Sequence, residues 1–115
     1  TIVTRNGKVV LITGSPGGRT IINTVLNIVL GVVEFGMNGR QAVDSPRLHH
    51  QWLPDETVLE SGAISEDVQA KLTEMGHNIK LRGRQGDGNS ILVDPVSGAA
   101  YGVNDKRSPD GKASR

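Results

Sequence analysis

The sequence predicts an α+β fold whose sheet is mainly antiparallel, and three observations predict it. β-Branched runs flank tight-turn residues at both ends of the chain, over residues 1–13 and 90–103, which reads as two hairpins. A long apolar run over residues 21–33 has helical rather than alternating spacing. Strands and helices do not alternate regularly and no internal repeat is evident: the order is hairpin, helix, short helix, strand, helix, strand, hairpin. The 115 residues suffice for one core, so residues 1–115 are read as a single domain.

The first hairpin turns at Asn6-Gly7, the pair that best tolerates two successive positive φ angles. Its second strand, Val9 to Ile12, is apolar at every position, the pattern of a strand covered on both faces. The chain starts inside a strand without a preceding turn, which leads to the expectation that more polypeptide precedes Thr1.

The helix from Thr20 to about Phe35 carries Ile21, Ile22, Val25, Leu26, Ile28, Val29, Val32 and Val33, with polar or small residues confined to a narrow stripe. Such a helix is expected to be buried on most sides, and β-branched residues make it depend on packing. The remaining residues can hardly surround it, so a partner is expected: another chain, or more of the same one. Asn38 with Gln41 forms a candidate capping box for a short helix that Pro46 stops.

Leu48 to Pro54 follows, with adjacent His49 and His50. On a strand neighbouring side chains point to opposite faces, so the pair does not converge on one metal ion, and no metal is expected. The segment is read as turn-rich, anchored by Trp52, with both imidazoles bonded to nearby backbone. A short strand is centred on Val58 and Leu59. Ser65 then N-caps an amphipathic helix with Val68, Leu72 and Met75 on one stripe, ended by Gly76. Ile79 and Leu81 are expected to point inward. Residues 83–89 read as a polar glycine loop, either mobile or in contact with an anion or substrate; Asp87 and Asn89 lack the later ligands of a calcium loop. In the last hairpin Tyr101 is expected half-buried with its hydroxyl bonded, and Lys106 to Arg115 is expected to fray.

Composition removes several function classes. Thirteen basic against 12 acidic residues predict no polyanion partner, and one Trp, one Tyr and one Phe offer no platform for stacked bases, so nucleic-acid binding is excluded. Without cysteine there is no disulfide, thiolate metal site or cysteine nucleophile. Asn23, Thr24 and Asn27 interrupt the apolar helix, so no membrane span is expected. No cofactor motif occurs.

The stretch with chemical content is Gly14-Ser15-Pro16-Gly17-Gly18-Arg19-Thr20, between a strand and a helix. Such a junction leaves the first helical amides without internal partners and adds the positive end of the helix dipole. Glycines let a ligand approach the backbone, which suits a carboxylate, a phosphate or a developing oxyanion. The spacing matches neither common nucleotide-binding loop. By spacing alone the glycines read first as residues that only turn the chain.

Thr13 to Gly18 with Ile21-Ile22, Pro46-Arg47-Leu48-His49-His50-Gln51-Trp52-Leu53-Pro54, and Tyr101-Gly102 with Asp105-Lys106-Arg107-Ser108 together resemble, in order, the C-terminal part of the γ-glutamyltransferase (glutathione hydrolase) family. The resemblance covers nearly the whole chain. It implies an N-terminal-nucleophile (Ntn) hydrolase of αββα layers, autocleaved into large and small subunits. A small-subunit threonine would then attack a γ-glutamyl amide through an acyl-enzyme. It also implies that Gly17 and Gly18 form the oxyanion hole. The family's threonine-threonine-histidine nucleophile segment and its substrate-binding serine pair are absent, as are the residues that hold the substrate's α-amino and α-carboxylate groups. Thr1 is followed by Ile2-Val3 and does not match the nucleophile. The implied partners are the large subunit, the rest of the small subunit and a small γ-glutamyl substrate, with a periplasmic or secreted location. A related Ntn acylase, of cephalosporin or polyglutamate-processing type, and a stand-alone anion-binding or assembly module remain the alternatives. The chain alone is expected to be inactive and to self-associate through its uncovered helix face.

Overall fold

The computed structural model describes residues 1–111. They form two compact units, residues 1–44 with 86–111, and Ser45–Gln85.

In the first unit β1 (Ile2–Arg5) and β2 (Lys8–Gly14) make the expected hairpin, with Asn6 at φ 53° and Gly7 at φ 76°. The second hairpin is β6 (Asn89–Val93) and β7 (Ala100–Val103), and the four antiparallel strands run β1-β2-β6-β7. One face carries Leu11, Leu92 and Val103, which pack with Ile28, Ala42 and Val43 into the core. On that face Thr13 and Ser90 pair across the strands and share a hydroxyl–hydroxyl hydrogen bond of 2.8 Å. The other face is bare. Ile2, Ile12, Ile91 and Gly102 align in one cross-strand row, and Ile12 is 38% exposed. The expectation that this strand is covered on both sides therefore fails within these residues, because both helices of the unit lie on one side.

Those helices are α1 (Ile21–Val33) and α2 (Gly39–Asp44). The long helix is not buried on most sides either. It turns Thr24, Ile28 and Gly31 inward, with Gly31 facing Ala42 at close range. Ile22 and Leu26 stay 77% and 50% exposed. The inward face mixes Thr24 and Gly31 with Ile28, flanked by Val29 and Val32, while a second apolar stripe through Ile22 and Leu26 faces out. The capping box forms as expected. Gln41 N donates to Asn38 Oδ1 at 2.9 Å and Asn38 N to Gln41 Oε1 at 3.0 Å.

The turn between β6 and β7 is organised by Asp94. Its carboxylate accepts hydrogen bonds from Ser97 N, Ser97 Oγ and Val96 N at 2.6, 2.9 and 2.9 Å. The Ser97 amide first, then its hydroxyl and the Val96 amide, hold the Asp94 carboxyl below the ordinary aspartate value. A lowered native pKa means that the contribution is complete above the ordinary aspartate pKa and is lost as pH falls through the lowered value. A carboxyl-carbon NMR titration of the 115-residue chain should therefore give Asp94 a midpoint below ordinary aspartate. Ser97→Ala should raise it part of the way; an unshifted wild-type midpoint would contradict the turn geometry.

Residues 106–111 do not fray. Ser108 N donates to Asp105 O and Gly111 N to Ser108 O, at 3.0 and 3.1 Å, and Arg107 Nη1 donates to Val43 O at 3.2 Å. The rest of the expected frayed tail, 112–115, lies outside the described residues. Tyr101 is 37% exposed, and among the described residues its hydroxyl has no hydrogen-bond partner, contrary to expectation.

In the second unit β3 (Leu48–His49), β4 (Thr57–Leu59) and β5 (Ile79–Leu81) form a sheet in the order β3-β4-β5. The β3–β4 pair is antiparallel and the β4–β5 pair is parallel; α3 (Glu66–Glu74) makes the crossover between the latter two. Gly76 closes that helix as expected: Gly76 N bonds Thr73 O and His77 N bonds Leu72 O, at 2.9 and 3.0 Å. The N-terminus differs. Ser65 has cap-like dihedrals, but its side chain makes no cap bond. Its hydrogen bond goes to the Asp67 side chain and is the leading cause that keeps that carboxyl below its ordinary value. Leu81, Met75 and Trp52 are also exposed, against expectation. Apolar cover is scarce in this unit, and its buried centre is largely polar. Arg47, Glu60 and Gln85 are buried together, with Arg47 N and Gln85 N donating to the two Glu60 carboxylate oxygens at 3.0 and 2.7 Å.

Candidate functional site

The glycine turn follows β2 directly. Pro16 fixes one φ, and Gly17 (φ 135°) and Gly18 (φ 56°) lie in the region that side-chain-bearing residues avoid. A single 3₁₀ turn, Gly18–Thr20, then leads into α1. Thr20 tightens it, donating from N and Oγ1 to Gly17 O at 3.2 and 3.0 Å. The two glycine amides are left over. Among the described residues neither donates to a backbone or side-chain acceptor, and both glycines are exposed. No acidic residue occupies the first turn of α1, and Arg19 stands beside the pair. Unpaired amides, the positive end of a 13-residue helix and a neighbouring cation favour an anion.

A second segment touches this turn from far along the chain. Asp87 N donates to Ser15 Oγ at 3.0 Å, and Ser15 Oγ in turn donates to Pro16 O at 2.6 Å. A side chain on Gly17 would run into Thr20 Oγ1 at 2.7 Å and Gly86 Cα at 3.3 Å. Gly88 N donates to Asp105 Oδ2 at 2.7 Å, and the fully buried Asp105 also accepts from Arg107 N and Nη1, at 2.9 and 3.0 Å. Residues 86–88 of the loop read from the sequence are thus tied by hydrogen bonds and close contacts to the glycine turn and to Asp105. The missed signal is Asp105, an acid near a strand end whose role depends on a contact 17 residues away.

The histidines do not converge. His49 Nε2 lies 2.9 Å from Gln51 Oε1, whereas His50 Nε2 lies 3.0 Å from Asp55 Oδ1 and its Nδ1 accepts from Trp52 N. Only His50 meets backbone as expected; the His49 partner is a side chain. Among the described residues no group of three or more metal-ligating side chains is assembled. No described helix is long and apolar enough to cross a membrane.

A family model described as Gamma-glutamyltranspeptidase matches residues 1–114. The chain belongs to the gamma-glutamyltranspeptidase family. It is 46% identical over 110 residues to the glutathione hydrolase proenzyme of Escherichia coli (strain K12), covering 96% of this chain and 19% of that protein. A solved mutant gamma-glutamyltranspeptidase from Helicobacter pylori superposes with a TM-score of 0.89 at 45% identity, over 94% of this chain and 59% of that one. Cephalosporin acylase from Bacillus halodurans shares the fold, with a TM-score of 0.86 at 24% identity over 98% of this chain and 21% of that one. The mixed α+β class, mainly antiparallel, is thus that of gamma-glutamyltranspeptidases and acylases of the Ntn-hydrolase type. The chain spans about a fifth of the length of the curated gamma-glutamyltranspeptidase relatives it matches, so further parts of the enzyme lie outside it.

Proposed function

We propose that this chain is the C-terminal segment of a γ-glutamyltransferase catalytic domain and supplies its oxyanion hole, with Gly17 and Gly18 as the donors. The supporting observation is the pair of exposed glycines whose amides have no acceptor among the described residues, in a chain of this family. When a threonine oxygen attacks the γ-glutamyl carbonyl, the carbonyl oxygen becomes anionic and takes up both N–H groups. The attacking threonine, with its own α-amino group as base, belongs to the nucleophile segment that this sequence does not contain. Collapse of the adduct, with the proton taken from the threonine hydroxyl passed by the α-amino group to the leaving nitrogen, expels the amine and leaves an acyl-enzyme, which water or an amino acid then resolves. Glutathione is the substrate that the relatives' name suggests.

The outer apolar stripe of α1 and the bare Ile2-Ile12-Ile91 row supply surfaces for the remaining layers of the enzyme. The 115-residue chain alone should show no turnover of a γ-glutamyl anilide above buffer and should self-associate in light scattering. Turnover that disappears on mutating Thr1 would overturn the assignment, and a monodisperse monomer would remove the role given to the two apolar surfaces. The acylase alternative keeps the same amide pair, and a substrate panel on the full-length enzyme separates the two.

A further inference from the structure

We propose that the Gly86–Gly88 segment, pinned by the Asp105 carboxylate, is the positioning element that holds the Gly17 and Gly18 amides in register for the developing oxyanion; this rests on the function proposed above. A turn with two left-handed glycines has little stiffness of its own, yet an oxyanion donor works only if it is already in place when the charge forms. The turn's internal bonds, from Thr20 to Gly17 O, fix the Gly17–Gly18 peptide plane and with it the Gly18 amide; the Gly17 amide lies in the Pro16–Gly17 plane, whose carbonyl is held, among the described residues, only by Ser15 Oγ.

The restraint comes from 72 residues further on. The Asp87 amide fixes Ser15 through its hydroxyl, and Gly86 (φ 66°) lies against the side of Gly17 where a Cβ would project. Gly86 also sits so close to Thr24 on α1 that a Cβ there would collide with Thr24 Oγ1 and come within 3.1 Å of Ser15 Oγ. One small residue is therefore wedged between the helix and the turn. Asp105 fixes the other end of the segment through Gly88 N. None of these groups touches the reacting atoms; each acts through the backbone it fixes.

The test uses the full-length enzyme, with rates normalised to the autocleaved small subunit. Gly86→Ala forces the segment away from Thr24 and Ser15, and kcat is expected to fall about 10²-fold with KM changed less than about threefold. Ser15→Ala deletes the acceptor without adding an atom and should lower kcat about tenfold. Adding Thr24→Ala to Gly86→Ala removes the hydroxyl that the new Cβ would strike and should restore part of the loss, the positive φ and the Ser15 contact keeping the rest. A tetrahedral mimic, a γ-glutamyl boronate, should weaken in step with kcat/KM, while competitive inhibition by glutamate stays constant; a general loss of structure would move both. If Gly86→Ala does not mature, Ser15→Ala decides alone. Wild-type kcat in Ser15→Ala and Gly86→Ala, beside a Gly17→Val enzyme that has lost activity, overturns this proposal and leaves the oxyanion reading standing. Wild-type kcat in Gly17→Val removes both.

Discussion

Gly17→Val in the full-length enzyme is expected to lower kcat by about 10²–10³-fold, the loss typical of one oxyanion donor. Two separate features of the structure lead there. The backbone at residue 17 has φ 135°, which a β-branched residue does not adopt without strain. The new side chain would also meet Thr20 Oγ1 at 2.7 Å and the Gly86 backbone at 3.3 Å. Thr20 can rotate; the Gly86 backbone is held on both sides, so the turn itself must rearrange and carry the amides with it. Gly18 differs. A Cβ there enters open space, so only φ opposes it, and Gly18→Ala should cost less than Gly17→Val. Steady-state kinetics with a γ-glutamyl anilide checks both. A Gly17→Val enzyme whose KM rises while kcat holds would show that the turn binds substrate without stabilising the transition state.

Local grammar was legible where a residue's role depends on its near neighbours. Asn6-Gly7, the Asn38–Gln41 box and Gly76 each satisfy backbone groups within a few positions, and each forms as read. The glycine turn was legible for the same reason. Long-range satisfaction was not. Asp105 and Gly86 look like tail and loop residues until the chain brings β6 and β7 beside β2, and the Arg47-Glu60-Gln85 centre replaces apolar residues that no periodicity could reveal. Burial failed in a consistent direction. Ile12, Leu26, Trp52 and Leu81 have the composition of buried residues and stay exposed, in a chain that spans about a fifth of its relatives' length. Under the function proposed above, hydropathy would report what these side chains pack against in the whole enzyme, of which this chain shows only its own share.

The second large effect is expected at Asp105. Its side chain is fully buried and accepts from Gly88 N, Arg107 N and Arg107 Nη1, among others. Asp105→Ala would strip the acceptor from a buried amide and from a guanidinium whose side chain is only 8% exposed. Removing one member of a buried ion pair costs about 3–5 kcal/mol, because the remaining charge is left without compensation. Asp105→Asn separates the charge from the hydrogen bonds. Its oxygen can still accept from Gly88 N, but its amide opposes Arg107, so an intermediate loss is expected. Native-state hydrogen exchange on the full-length enzyme reads this locally: the Gly88 amide should exchange about 10²-fold or more faster in Asp105→Ala, at roughly tenfold per 1.4 kcal/mol. Unchanged protection at Gly88 would mean that the segment beside the glycine turn is held by something other than this carboxylate. Released protection at Gly88 with the rest of β6 still protected would place the loss in the 86–88 segment alone, the part of the unit that bears on Ser15 and Gly17.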